Sequence, residues 1–128
     1  MSSPFPKVVR RGRLYFVSDE KITFVSNGKR TWHDTRRPVL VVSHDKVNSD
    51  ESNEAVFVCP LSSGGNSSSF DVKIAAYEGG LRKRSWVRVD HCQRLLKSAL
   101  QDCLSRDGIT PAAMEEVLAN LAEIFLTP

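Results

Sequence analysis

The chain has 128 residues, of which 41% are apolar and 26% charged, enough for one domain with its own core and too few for two ordinary ones. No apolar run approaches the roughly 18 residues that would span a bilayer, and "MSSPFPKVVRRGR" at the start is basic without a following apolar stretch, so no secretory signal is read and a cytoplasmic location is expected. The formal charge is only +3, but the cations are grouped: Lys7, Arg10, Arg11 and Arg13; Lys29, Arg30, Arg36 and Arg37; Arg82, Lys83, Arg84 and Arg88. If those segments meet in the fold they make a surface suited to phosphate backbones; if they do not, they are solvated strand edges.

In chain order, "RLYFV" (13–17) and "KITFV" (21–25) are short β-branched and aromatic runs, and Asn27-Gly28 after them is a hairpin signal. "RPVLVVS" (37–43) and "AVFVCPL" (55–61) are near-continuous apolar runs of strand length and predict central strands, with "HDKVNSDESNE" (44–54) as an exposed loop between them. "SSGGNSSS" (62–69) breaks the pattern. "FDVKIAAY" (70–77) alternates Phe70, Val72 and Ile74 with Asp71 and Lys73, as a half-buried strand does.

"SWVRVDH" (85–91) also predicts a strand, with Val87 and Val89 on one face and Trp86, Arg88 and Asp90 on the other. "QRLLKSALQDCL" (93–104) has a helical apolar spacing in Leu96, Leu100, Cys103 and Leu104 and predicts a short helix. From Thr110-Pro111, an N-cap followed by proline at the first helical position, Met114, Val117, Leu118, Leu121 and Phe125 recur at helical spacing and predict a packed C-terminal helix. Consecutive strands with a helix at the end imply an antiparallel α+β domain covering residues 1–128.

Nucleotide-phosphate loops, dinucleotide fingerprints, zinc-protease and serine-hydrolase motifs are absent from the sequence. Cys59, Cys92 and Cys103 show no CxxC spacing and, with His33, His44 and His91, form no zinc pattern; they are read as reduced thiols, with no metal and no cofactor expected. Catalysis would then rest on side chains alone. Cleavage of RNA by its own 2′-hydroxyl is one reaction of that kind, needing a carboxylate or histidine, arginines, and hydroxyl or backbone donors.

Five blocks in order carry a resemblance: "RGRLYFV", "RRPVLVVSHD", "VFVCPLSSGGN", "WVRVDH" and "PAAMEEVLANLAEIFL". Together they resemble the PemK/MazF family of toxin endoribonucleases, closest to its PemK or Kid branch. The resemblance implies a small SH3-like antiparallel β-barrel with a C-terminal helix, a homodimer, cleavage of single-stranded mRNA, and a cognate antitoxin whose disordered tail covers the RNA groove. It places Asp90 at the proposed general base, Arg88 at the arginine assisting the phosphate, Arg37 at a strand-opening arginine directed at the same phosphate, and Ser62 where threonine is common. Ser63, Gly64, Gly65 and Asn66 continue the matching loop. The segment "SDEKITFVSNGKRTWHDTR" (18–36) departs from the family pattern; His33 could replace a histidine found there, and His91 could donate a proton beside Asp90. Trp86 reads either as a packing residue or as a platform for a base, and Arg84 as a contact to the RNA backbone.

Each site has a plainer reading. Arg88 and Asp90 could be a surface salt bridge worth about 0–1 kcal/mol, and the glycine-serine stretch a hairpin loop. The main expectation is a metal-independent endoribonuclease toxin. The alternative is a catalytically weak member of the same fold that binds nucleic acid or protein, and last comes a gyrase poison, whose Trp-Gly-Ile ending "EIFLTP" lacks.

Overall fold

The computed structural model describes residues 8–24, 35–65 and 68–126. Six strands form one antiparallel sheet: β1 (Leu14–Ser18), β2 (Arg36–Val41), β3 (Ala55–Ser62), β4 (Val72–Ile74), β5 (Ser85–Val87) and β6 (Gln93–Leu96). A short helix α1 (Asp45–Asn48) lies between β2 and β3, and α2 (Pro111–Leu126) closes the chain. The pairing runs β1-β2-β3-β5-β4, with β6 also on β3, as an open path rather than a closed ring. The expected α+β class, the two central strands and the C-terminal helix are all present.

β3 organises the sheet because its eight residues are apolar almost throughout, so it can be covered on both faces. Val58 pairs with Val41 of β2 on one edge and with Gln93 of β6 on the other. The second edge is shared, with β6 along Ala55–Val58 and β5 along Leu61 and Ser62. Between them Pro60 accepts the Arg88 N–H at 2.8 Å but has no N–H to return. The ladder stops there, and Val89–His91 form a 3-10 turn that bridges the gap.

The expected strand 85–91 is therefore shorter than its alternation suggests. It ends at Val87; Arg88 leaves extended geometry (φ −86°, ψ 84°), and Asp90 and His91 stand on the turn. The expected helix over 93–104 is also absent. Gln93–Leu96 pair with β3, and only Lys97–Ala99 coil, as a 3-10 turn. The free edge of β3 captures this segment and sinks Leu95 into the core, which a local helical spacing cannot foresee.

Two apolar clusters flank the sheet. One joins Tyr15, Val17, Ile22, Val39, Val41, Val56, Val58 and Leu95. The other holds Leu14, Leu40, Cys59, Leu61, Ile74, Val87 and Val89, and is covered by α2 through Val117 with Ala113, Met114, Leu121 and Ile124. The Thr110 hydroxyl accepts from Ala113 N–H at 3.2 Å, which is the expected N-cap. Phe125, placed on the packed stripe by its spacing, is 76% exposed, and Ile124 occupies the contact instead. The hairpin expected at Asn27-Gly28 lies outside the described residues. The three cysteines are free thiols, Cys59 buried and Cys103 exposed. Among the described residues, no helix is long and apolar enough to cross a membrane.

Candidate functional site

Two arginines converge on the end of β3. Arg37, the second residue of β2, donates from Nη1 to the Leu61 carbonyl at 2.8 Å and from Nε to Asp19 Oδ1 at 2.6 Å. Arg88, which follows β5, donates from Nε to Ser62 Oγ at 2.6 Å, from Nη1 to Asp71 Oδ2 and from Nη2 to the Gly65 carbonyl. Antiparallel pairing causes the meeting: the start of β2 and the end of β5 both lie beside the last residues of β3. The Gly65 carbonyl can face inward because Gly65 sits at φ +91°, a conformation that a side chain would strain.

Both guanidiniums are nearly buried, Arg37 at 3% and Arg88 at 6% exposure. Buried charge is stable only when paired and hydrogen-bonded, and the carboxylates of Asp19 and Asp71 meet that need. This corrects the reading of Arg88 and Asp90 as a pair on an outward face: the partner of Arg88 is Asp71, which also accepts from the Ser68 N–H at 3.1 Å.

Asp90 is exposed and bonds its neighbour. Its Oδ1 lies 2.9 Å from His91 Nδ1, which leaves Nε2 as the ring nitrogen that Asp90 does not hold. The His91 ring packs against Phe24, with centroids 5.1 Å apart, and the Arg37 guanidinium lies 4.6 Å from the centroid of the same Phe24 ring. A continuous set of contacts thus runs from Asp90 through His91 and Phe24 to Arg37, and over the end of β3 to Ser62 and Arg88.

Trp86 is half-buried opposite Ser62 and Lys73, and its Nε1–H is sheltered with no acceptor among the described residues. Ser63 and Gly64 continue from β3 at the surface, and Arg84 is exposed before β5. His33 and Asn66 lie outside the described residues. The basic groups do not all meet. Arg11 and Arg13 are held at the far end of β2, where Arg11 Nε donates to the Val42 carbonyl at 2.9 Å and the Arg13 carbonyl accepts from Val41 N–H at 3.2 Å.

Beneath the turn, the Cys59 thiol donates to the Val89 carbonyl at 3.9 Å; the neighbouring Cys92 thiol and burial push Cys59 well up, while Cys59 in turn pulls Cys92 down. Among the described residues, no group of three or more His, Cys, Asp or Glu side chains is placed to hold a metal ion.

Sequence reasoning missed Asp19, Phe24, Asp71 and Gln93. Asp71 had a faint signal as a polar residue in an alternating strand, but nothing local ties it to Arg88, which lies 17 residues on.

The family described as PemK-like, MazF-like toxin of type II toxin-antitoxin system matches residues 12–125. No curated relative matches the chain. Among solved structures, a MazE-MazF crystal structure from Deinococcus radiodurans is 22% identical with a TM-score of 0.71, over 96% of this chain and 100% of that one. An endoribonuclease in complex with its cognate antitoxin from Mycobacterial species is 22% identical with a TM-score of 0.69, over 94% and 98%. The Mycobacterium tuberculosis toxin MazF-mt6 is 17% identical with a TM-score of 0.65, over 88% and 95%. At these identities the structural likeness is one of fold, but the family match spans most of the sequence. The chain belongs to the PemK-like, MazF-like toxins of type II toxin-antitoxin systems.

Proposed function

We propose that this toxin is a metal-independent endoribonuclease that cuts single-stranded mRNA. The observation that carries the reading is the Asp90–His91 pair, on a turn that Arg88 opens and joined through the Phe24 ring to the Arg37 guanidinium. In this scheme Asp90 takes the proton of the 2′-hydroxyl, the 2′ oxygen bonds to phosphorus, the bond from phosphorus to the 5′ oxygen breaks, and His91 Nε2 returns a proton to that oxygen. Arg88 and Arg37, each held almost out of solvent by a carboxylate partner, act as preoriented guanidinium dipoles that stabilise charge on the phosphoryl oxygens. Ser62 holds Arg88 in place. Ser63 and Gly64, with Trp86 and the exposed Arg84, line the approach of the RNA strand.

Purified protein incubated with a long single-stranded RNA in EDTA should yield 2′,3′-cyclic phosphate and 5′-hydroxyl ends. Full dependence on magnesium, or cleavage of an all-deoxy strand, would overturn the proposal. Binding without cutting would instead support the catalytically weak reading, which the near burial of both arginines favours.

The same reading implies a homodimer and an acidic, partly disordered antitoxin competing with RNA for the positive surface. The related structures titled as a MazE-MazF assembly and as an endoribonuclease with its cognate antitoxin support the partner. Light scattering at micromolar concentration, with and without an acidic protein encoded beside this one, checks both.

A further inference from the structure

Gln93 opens β6 two residues past His91, and its side-chain amide reaches a distant segment. Oε1 accepts from the Thr23 N–H at 2.9 Å, while Nε2 donates to the Thr23 carbonyl at 3.1 Å and to the His91 carbonyl at 2.9 Å. One amide therefore meets both the donor and the acceptor of the Thr23 backbone, as a neighbouring strand would, and also ties down the turn that carries Asp90 and His91. Thr23 and Phe24 belong to no strand or helix. Ile22 anchors them from below in the core, and the Gln93 clamp draws them toward the turn. Phe24 then meets the His91 ring at 5.1 Å and the Arg37 guanidinium at 4.6 Å.

We infer that Gln93 is a positioning residue for cleavage, clamping Thr23 so that Phe24 buttresses the His91 ring with Nδ1 on Asp90. The inference rests on the nuclease reading above. Without the buttress the imidazole turns about its side-chain torsions, and Nε2 spends less time aimed at the scissile phosphate. RNA binding does not need that alignment, so the loss falls on kcat rather than KM. The chemistry of an amide is required. A glutamate keeps the acceptor for the Thr23 N–H but turns a carboxylate toward two carbonyls, and an asparagine is one methylene too short.

The test compares Gln93→Ala and Gln93→Glu in the native and His91→Ala backgrounds, with RNA cleavage kinetics, thermal unfolding, and NMR of the histidine rings, the His91 signals being assigned by their loss in His91→Ala. Expected are folded variants whose His91 ring signals shift, a kcat lowered about tenfold with KM within about twofold, and no further loss when His91 is already alanine. Unchanged His91 signals, or an equal loss of kcat in the His91→Ala background, would overturn the inference. Should Gln93→Ala fail to fold, Gln93→Glu carries the same comparison. A native protein that cuts no RNA would remove the nuclease reading. The clamp is then decided by the ring signals alone: a shift upholds it and constancy rejects it.

Discussion

Arg88 Nε donates to Ser62 Oγ at 2.6 Å, tying the last residue of β3 to the first residue beyond β5. A hydrogen bond to a charged group contributes about 1.5–3 kcal/mol. Ser62→Ala should cost stability in that range and lower cleavage, whereas Ser62→Thr, which keeps the hydroxyl, should retain most of both. Urea unfolding with parallel cleavage assays measures the difference.

The partner on the other side is Asp71, whose side chain is 0% exposed. Removing the guanidinium would leave that carboxylate buried with its cation gone. Arg88→Ala should therefore destabilise the domain by about 3–5 kcal/mol, far more than the surface salt bridge suggested by the alternation of residues 85–91. Arg88→Lys keeps the charge but loses the fork and should fall between. Equal unfolding midpoints for Arg88→Ala and the native protein would contradict the buried pair.

Asp90 should behave in the opposite way. Its side chain is 38% exposed and bonds the neighbouring His91. Asp90→Asn should change stability by less than about 1 kcal/mol while lowering cleavage by about 10²–10⁴-fold, the usual worth of a general base. Val89→Asp, one residue away at 0% exposure, should unfold the domain. Circular dichroism separates the two outcomes.

If the exposed Arg84 touches the RNA backbone, removing it lowers the number of counterions released on binding. Arg84→Ala should reduce the slope of log affinity against log salt by about 0.7 for a single strand. Binding titrations at several salt concentrations give that slope, and an unchanged one would take Arg84 out of the interface.

Stability at acid pH should depend on Asp45. Partial burial pushes its carboxyl up, but bonds from the Arg11 backbone N–H and the Asn48 amide, with the charges of Arg10 and Arg11, outweigh that and hold it below the ordinary carboxylate range. Its folded value is thus lower than its unfolded one of roughly 3.9. The stability it contributes is present above the unfolded value and is lost as pH falls through the folded one. Asp45→Asn should lower the unfolding midpoint near neutrality and flatten its fall below about pH 4, as thermal unfolding over a pH series would show.

The sequence by itself determined what is local and repeated. The apolar runs of β2 and β3 sit in the sheet because short β-branched stretches bounded by polar loops suit strands covered on both faces, and Thr110-Pro111 starts α2 because the cap and the proline suit the first turn wherever the helix lies. Five blocks in order were enough to point to the family. The tertiary structure decided what depends on an edge or a partner far along the chain. Gln93–Leu96 became a strand because β3 had a free edge, although their apolar spacing was helical. Arg88 went inside because Asp71 waits there to neutralise it, and Asp90 turned outward because Pro60 ended the ladder. Alternation along a strand records which side chains are apolar. It holds no record of a carboxylate on another strand, and the free energy of burying a guanidinium is set by that carboxylate.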